Sequence, residues 1–374
     1  MFLSRNGQRA RLAGIDFVLS CLCLWIIVLQ APYVHSLPAS SSSSRIIVND
    51  DERVLSTSGT YPRLARLHDG SILAGYTERD GDLRILKIAR SDDNGQTFTE
   101  IGEVTRRVGD VDNMFLLEVS PGTVLAAFRN HDLGSDGETR TYFRITVCQS
   151  TDGGRSWQYM SQAFERTAPW GLWEPFMRIG RGGEVKLYFS QETAADDQLI
   201  MEVISHDQGR SWTTPRVVVD GDGHVRDGMV GIAETSDQNE PVLVMVFEAG
   251  RGGRFTVEAV LSYDDGNTWG RRQVVYNPPS DHNAGAPQIS SFGDGSMAVI
   301  FMTDDQSPVV DWFQNTAVRA VLGSAPVNGQ IQLSEPSEVS PAWSVWPGIL
   351  PLDDQTALAA YDRSGSKVRS LSRV

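Results

Sequence analysis

From residue 45 onward, short apolar runs alternate with polar, turn-forming clusters. The runs Ile72 to Tyr76, Val124 to Phe128, Val185 to Phe189, Val242 to Phe247, Met297 to Phe301 and Ala357 to Tyr361 are too short for amphipathic helices, and most are rich in β-branched and aromatic residues. Runs of that length and composition predict buried strands. Turn signals such as Asp69-Gly70, Pro121-Gly122, Gly182-Gly183, Asp294-Gly295 and Asp353-Asp354 precede them, and before each turn another strand begins, near Arg63, Met114, Phe176, Met229, Gln288 and Gly348.

A second pattern runs out of phase with the first. The phrase S-x-D-x-G-x-[S/T]-[W/F] occurs four times, at Ser91 to Phe98, Ser150 to Trp157, Ser205 to Trp212 and Ser262 to Trp269. Its glycine suits a turn needing positive φ, its Asp and Ser/Thr can cap backbone amides, and its aromatic can pack into the body. Strand-like runs precede the copies, Leu83 to Ala89 before the first and Phe255 to Leu261 before the fourth. The copies therefore read as turns that staple strands together; they lack the carboxylate-rich loop of a calcium site. The fifth unit has a degenerate turn near Asn328-Gly329, and the sixth ends before it could carry one.

The two patterns together define six repeated units over residues 45–374. They predict an all-β fold, a six-bladed β-propeller of four-stranded blades. Only three strands are legible in the last unit: Gly348 to Pro351, Ala357 to Tyr361 and Lys367 to Leu371. The missing outer strand is expected at Arg45 to Asn49, so that the N-terminal strand closes the last blade and removes two open edges.

Residues 1–36 read as a signal peptide, with Arg5, Arg9 and Arg11 before the apolar stretch Phe17 to Leu29. Residues 37–44 read as a serine-rich linker. A secreted, extracellular, monomeric protein with no membrane attachment after cleavage is expected. The chain carries a net charge of −14, which argues against nucleic acid as a partner. Beyond residue 36, Cys148 is the single cysteine, so an intrachain disulfide is excluded and a buried, inert thiol is expected. The six histidines are scattered, with no metal-binding spacing, and no metal or other cofactor is expected.

With staple turns on one face, the starts of the inner strands and the ends of the second strands lie together at the opposite mouth. These positions supply Arg63, Asp112, Asn113, Glu174, Arg226, Asp227 and Trp346, and Glu78, Arg79, Arg129, Asp132, Gln191, Glu192, Glu248, Arg251, Asp304, Asp305, Asp362 and Arg363. Glu174 lies in Trp170-Gly171-Leu172-Trp173-Glu174-Pro175-Phe176, among aromatics able to desolvate it and to stack on a sugar. Glu248 ends the apolar run Val242 to Phe247. Two glutamates on adjacent units are what a glycosidase needs: one attacks or stabilises the anomeric carbon, and the other moves the proton.

The four turn copies resemble the Asp-box, or BNR repeat, of the sialidase superfamily. Within it, Tyr61-Pro62-Arg63-Leu64, Gly75-Tyr76-Thr77-Glu78-Arg79, Trp173-Glu174-Pro175-Phe176 and Phe247-Glu248-Ala249-Gly250-Arg251 are similar to motifs of family 93 glycoside hydrolases, the fungal exo-arabinanases. The resemblance covers about residues 45–374. It implies retaining release of arabinobiose from α-1,5-linked arabinan, with Glu174 as nucleophile and Glu248 as acid/base. Arg63, Glu78, Arg79, Asp112, Asn113, Trp173, Asp227, Arg251, Trp346 and Tyr361 are the residues expected to bind the polysaccharide or oligosaccharide. A sialidase is the alternative, since Arg63 and Arg79 also resemble two of its carboxylate-binding arginines. Yet Trp343 to Gly348 holds no tyrosine where a sialidase carries its nucleophile. A non-catalytic glycan-binding propeller is a third possibility.

Overall fold

The computed structural model describes residues 44–374 apart from 222, 280, 311 and 313, and the described residues contain no helix. The signal peptide expected at 1–36, and all but Ser44 of the linker expected at 37–44, lie outside the described residues.

The chain enters through β1 (Ile46–Val48) and β2 (Arg53–Ser56). One sheet is made of β3 (Thr60–Arg66), β4 (Ile72–Asp80), β5 (Leu83–Ser91) and β6 (Thr99–Val108), and the next of β7 (Asp110–Ser120), β8 (Thr123–Leu133), β9 (Arg140–Ser150) and β10 (Gln158–Thr167). A larger sheet holds β11 (Leu172–Ile179), β12 (Val185–Ala194), β13 (Asp197–Ser205), β14 (Arg216–Val219), β15 (Arg226–Asp237), β16 (Glu240–Arg251), β17 (Arg254–Ser262) and β18 (Gly270–Tyr276). Then follow β19 (Ala284–Ser291), β20 (Met297–Thr303), β21 (Ala317–Gly323) and β22 (Ser337–Ser340), and finally β23 (Val345–Pro351), β24 (Thr356–Asp362) and β25 (Ser366–Arg373).

This is an all-β propeller. The repeat count predicts six separate sheets, and the sheet count corrects that: four sheets stand alone as single blades, while the fifth runs through eight strands. The cause is local. Gln198 of β13 and Arg226 of β15 meet in one parallel residue pair, which joins β11–β14 to β15–β18. The innermost strands touch in the cyclic order β3, β7, β11, β15, β19, β23 and back to β3.

Apolar clusters fill the spaces between neighbouring sheets. Leu73, Ile88, Leu116 and Phe128 pack between the first and second sheets, and Ile300, Val318, Ala359 and Leu371 between the last two. Each fully buried Leu, Ile, Val or Phe stabilises the fold by about 1.5–3 kcal/mol. Cys148 belongs to the first of these clusters, and burial pushes its thiol up to about 12.

The four repeated phrases are turns joining the third and fourth strands of their units. In each, the glycine amide donates to the leading serine hydroxyl at 2.7–2.9 Å, with the glycine at φ between 80° and 92°. The Asp accepts from the amide of the Thr or Ser four residues on, at 2.8–2.9 Å. The aromatics Phe98, Trp157, Trp212 and Trp269 pack against four different inter-sheet clusters. In the fifth unit Asn328 and Gly329, both at positive φ, form a two-residue turn between Val327 and Gln330.

The ring is fastened where the first described strands meet the last. β25 pairs antiparallel with β1 through Ile46↔Arg373, Ile47↔Ser372 and Val48↔Leu371, and also with β2. Arg45 and Val374 exchange two backbone hydrogen bonds (3.0 and 3.1 Å). Deleting residues 45–50 removes the buried Ile46 and opens an edge of β25. The melting temperature should fall by at least several degrees; an unchanged midpoint in a calorimetric scan would disprove this closure.

Candidate active site

The six innermost strands share an irregularity that the apolar pattern does not announce. Each carries a bulge at one register, and inside it one non-glycine residue at positive φ: Tyr61 (58°), Asn113 (57°), Glu174 (34°), Met229 (56°), Ala286 (50°) and Trp346 (54°). A bulge re-aims a side chain and leaves backbone groups outside the ladder. Three of the amides so released find side-chain acceptors. Asn113 N donates to Asp112 Oδ1 (2.9 Å), Met229 N to Ser190 Oγ (3.3 Å) and Ala286 N to Glu248 Oε2 (2.9 Å).

Glu174 therefore stands on a strained backbone at the axial end of β11. Glu248, on β16 opposite Gly228, reaches across to the bulge of β19. A Cβ on Gly285 would lie 2.4 Å from Glu248 Oε2 and 3.2 Å from Trp312, so glycine there keeps room for the carboxyl. Both carboxyls are half-buried. Burial raises Glu174 to about 8, opposed by the Arg129 and Arg226 guanidiniums and assisted by the charge of Glu248. Burial raises Glu248 to about 7, against the stabilising Ala286 amide and Arg226. The pair thus retains a proton near neutrality, the condition for general acid catalysis.

The flanking cations are held in place. Arg129 donates to Asp110 at 3.1 Å and lies 3.5 Å from Asp112, and Arg226 contacts Glu192 at 2.7 Å and Gln198 at 2.9 Å. Arg63 is buried, donates to the carbonyls of Pro62 (2.9 Å) and Trp346 (3.3 Å), and lies over the Tyr61 ring, which stacks on Trp346. The Trp173 ring has the Arg129 and Arg140 guanidiniums over it and His131 at its edge. His131 accepts from the Arg144 amide through Nδ1, which leaves Nε2–H to donate to Leu172 O at 2.8 Å. Burial lowers its pKa to about 3, so it is a neutral tie between β8 and β11. Tyr61 Oη, Asn113 Nδ2 and Oδ1 and Trp173 Nε1 are buried with no hydrogen-bond partner in the protein. Buried polar atoms in that state are suited to the hydroxyls of a ligand.

Arg63, Asp112, Asn113, Trp173, Glu174, Glu248 and Trp346 are brought to this end of the axis. Five other candidates are placed elsewhere. Tyr361 is fully buried between the last two sheets, where its hydroxyl donates to Glu52 at 2.6 Å. Asp227 is fully buried and held by both terminal nitrogens of Arg272 at 2.7 Å, in a network with Glu258. Arg251 pairs with Glu258, and Glu78 accepts from Ser56 and Ser58 (3.2 and 2.9 Å) beside β2. Arg79 is exposed and lines a separate cleft of about 730 Å³ between the first two sheets. In each case the side chain answers to a near neighbour that the repeat phase alone does not reveal. Conversely, Tyr61, His131, Gly285 and the Ala286 amide are not singled out by the repeat, which marks Met229 only as a strand start. A signal for the bulges is nevertheless present in the sequence. Tyr61, Glu174, Ala286 and Trp346 each precede a proline, a residue without an amide that is tolerated where the ladder breaks.

No protein-family model matches the sequence, and no characterised relative matches it either. Solved structures do share the fold. The alpha-L-arabinanase of Penicillium chrysogenum, complexed with arabinobiose, superposes with a TM-score of 0.66 at 17% identity, over 88% of this chain and 98% of that one. The GH93 alpha-L-arabinofuranosidase of Fusarium graminearum, also with arabinobiose, gives 0.60 at 17% identity over 88% and 97%. The NanB sialidase of Streptococcus pneumoniae gives 0.55 at 13% identity, over 91% of this chain and 71% of that one. The chain therefore shares the propeller fold of the two enzyme groups that its motifs resemble.

The raised carboxyls link folding to pH. Between 4.5, the ordinary glutamate value, and about 8, folded Glu174 keeps a proton that the unfolded chain has released. More protons on the folded side means stability falls as pH rises through that window. Glu174→Gln should therefore melt above the wild type at pH 8, and the gap should close near pH 4. Parallel melting-temperature profiles for the two proteins would exclude a raised Glu174.

Proposed function

We propose that this protein is a retaining, exo-acting glycoside hydrolase that releases arabinobiose from linear α-1,5-arabinan. The observation that carries the proposal is the coupled pair Glu174 and Glu248, half-buried, raised in pKa and held from adjacent inner elements around one axis. We count that axis as six-bladed: the halves of the eight-stranded sheet share a single residue pair, and six inner strands carry the same bulge.

In this reading Glu174 is the nucleophile. Two fixed guanidiniums, Arg129 and Arg226, favour its anion, and the ionised carboxylate attacks the anomeric carbon as the bond to the leaving oxygen breaks. Glu248 protonates the leaving oxygen, then takes a proton from water to discharge the glycosyl–enzyme bond. The unpaired polar atoms of Tyr61 and Asn113 offer hydrogen bonds to the hydroxyls of a sugar. Export fits the leader-like residues 1–36.

One observation weighs against the sialidase alternative. Gripping a sialic acid carboxylate needs free, convergent guanidiniums. Here Arg63 is occupied by two carbonyls, Arg226 by Glu192 and Gln198, and Arg79 lies in the side cleft.

Incubation with linear arabinan and with sialyl-lactose, followed by product identification, tests the proposal directly. Arabinobiose should form and sialic acid should not. Glu174→Gln and Glu248→Gln should each abolish release, and near-wild-type turnover in either would sink the assignment. Gly285→Ala should lower kcat about 10²-fold by displacing the Glu248 carboxyl, with little change in melting temperature. A kcat unchanged in that variant would remove Glu248 from the chemistry.

A further inference from the structure

The side cleft between the first two sheets takes no part in the chemistry above, yet it holds an arrangement that sheets ordinarily avoid. Arg79 of β4 and Arg84 of β5 are direct partners in the antiparallel register, one residue pair inside the Asp80↔Leu83 pair that closes the hairpin. Directly opposed residues project from the same face, so two guanidiniums stand side by side. Like charges so placed destabilise the pairing. A carboxylate between them would relieve the repulsion, and among the described residues none makes an ion pair with either.

Of the four acidic side chains that line the cleft, Asp132 and Asp136 have other partners. Asp132 is held by Arg107 at 2.6 Å and by Arg144 at 3.0 and 2.5 Å. Asp136 accepts from the amides of Glu138 and Thr139 inside its own turn, at 3.0 and 2.9 Å. Asp82 and Glu138 stand exposed on the two hairpins. Arg84 is half-buried, and that burial, together with the Arg79 charge, lowers its pKa. The same guanidinium feels Asp112, Asp110 and Arg129, the groups that order the charge beside Glu174, so the cleft adjoins the axial site.

We infer that Arg79 and Arg84 form an accessory subsite for the carboxylate of a uronic acid residue, carried on a glycan that also reaches the axial mouth. The glycan part of this inference rests on the glycoside-hydrolase reading; the anion site does not. A carboxylate lying between two guanidiniums exchanges their repulsion for charge-assisted, planar hydrogen bonds. The cleft volume of about 730 Å³ suits a sugar ring rather than a bare inorganic ion. The enzyme would then prefer acidic, branched or decorated chains over neutral linear ones at equal backbone linkage.

Calorimetric titration at low ionic strength with galacturonate, galactose and inorganic phosphate tests this on the full chain. Galacturonate should bind at least about tenfold more tightly than galactose. Arg79→Thr with Arg84→Thr should abolish the preference, while Glu174→Gln should keep it. Independently, Arg79→Thr alone should raise the melting temperature without ligand by removing the repulsion, and this readout serves if the double variant folds poorly. Equal binding of the two sugars, a preference that survives the double substitution, or phosphate binding as tightly as galacturonate would overturn the subsite. Because titration reads binding and not turnover, the two readings can fail separately. A protein that cleaves arabinan without discriminating the sugars keeps the hydrolase and loses the subsite; one that discriminates them but cleaves no glycan does the reverse.

Discussion

The site depends on one backbone irregularity repeated around the axis. A regular inner strand would point alternate residues into the two neighbouring inter-sheet spaces and none squarely at the mouth. The bulge at a common register breaks that alternation six times, at Tyr61, Asn113, Glu174, Met229, Ala286 and Trp346. Each left-handed residue without glycine costs about 1–3 kcal/mol. What offsets this is the packing between sheets, which fixes the strands on either side so firmly that the bulge has nowhere to relax.

The electrostatics follow from the same irregularity. The bulge at Ala286 frees the amide that Glu248 needs, and the bulge at Glu174 turns its carboxyl towards Arg129 and Arg226. Those arginines are in turn fixed by Asp110, Asp112 and Glu192. Burial pushes protons onto the two glutamates while the anchored cations pull in the other direction, leaving the pair poised near neutrality. Neither effect alone would do so. Full desolvation would keep both carboxyls protonated, and unopposed guanidiniums would keep both ionised.

Much of this fold was legible in the sequence because strands and turns are local. Six apolar runs, four stapled turns and the closing strand near Ile46 each declare themselves within a few residues. Glu174 and Glu248 were legible because the repeat phase fixes which strand ends meet. The merging of two units into one sheet was not, since it hangs on the contact of Gln198 with Arg226 across a connecting loop. Nor were the fates of Asp227 and Tyr361. Each has a partner distant in sequence, Arg272 and Glu52 respectively, and a polar residue at a strand end looks the same whether it faces a substrate or a buried ion. The proline that follows four of the six bulged residues is the local clue that would have located the bulges.

The fastening of β25 between β24 and the entering strands has a further consequence for the order of events in folding. Closure joins the first described strands to the last described one, so the ring cannot close during synthesis before β25 has been made. Until Ser366 to Arg373 leave the ribosome, β24 on one side and β1 and β2 on the other remain open edges able to pair with a second chain. A chain grown only as far as β24 is thus at its most adhesive, and the pairing of β25 with the strands on both sides ends that exposure.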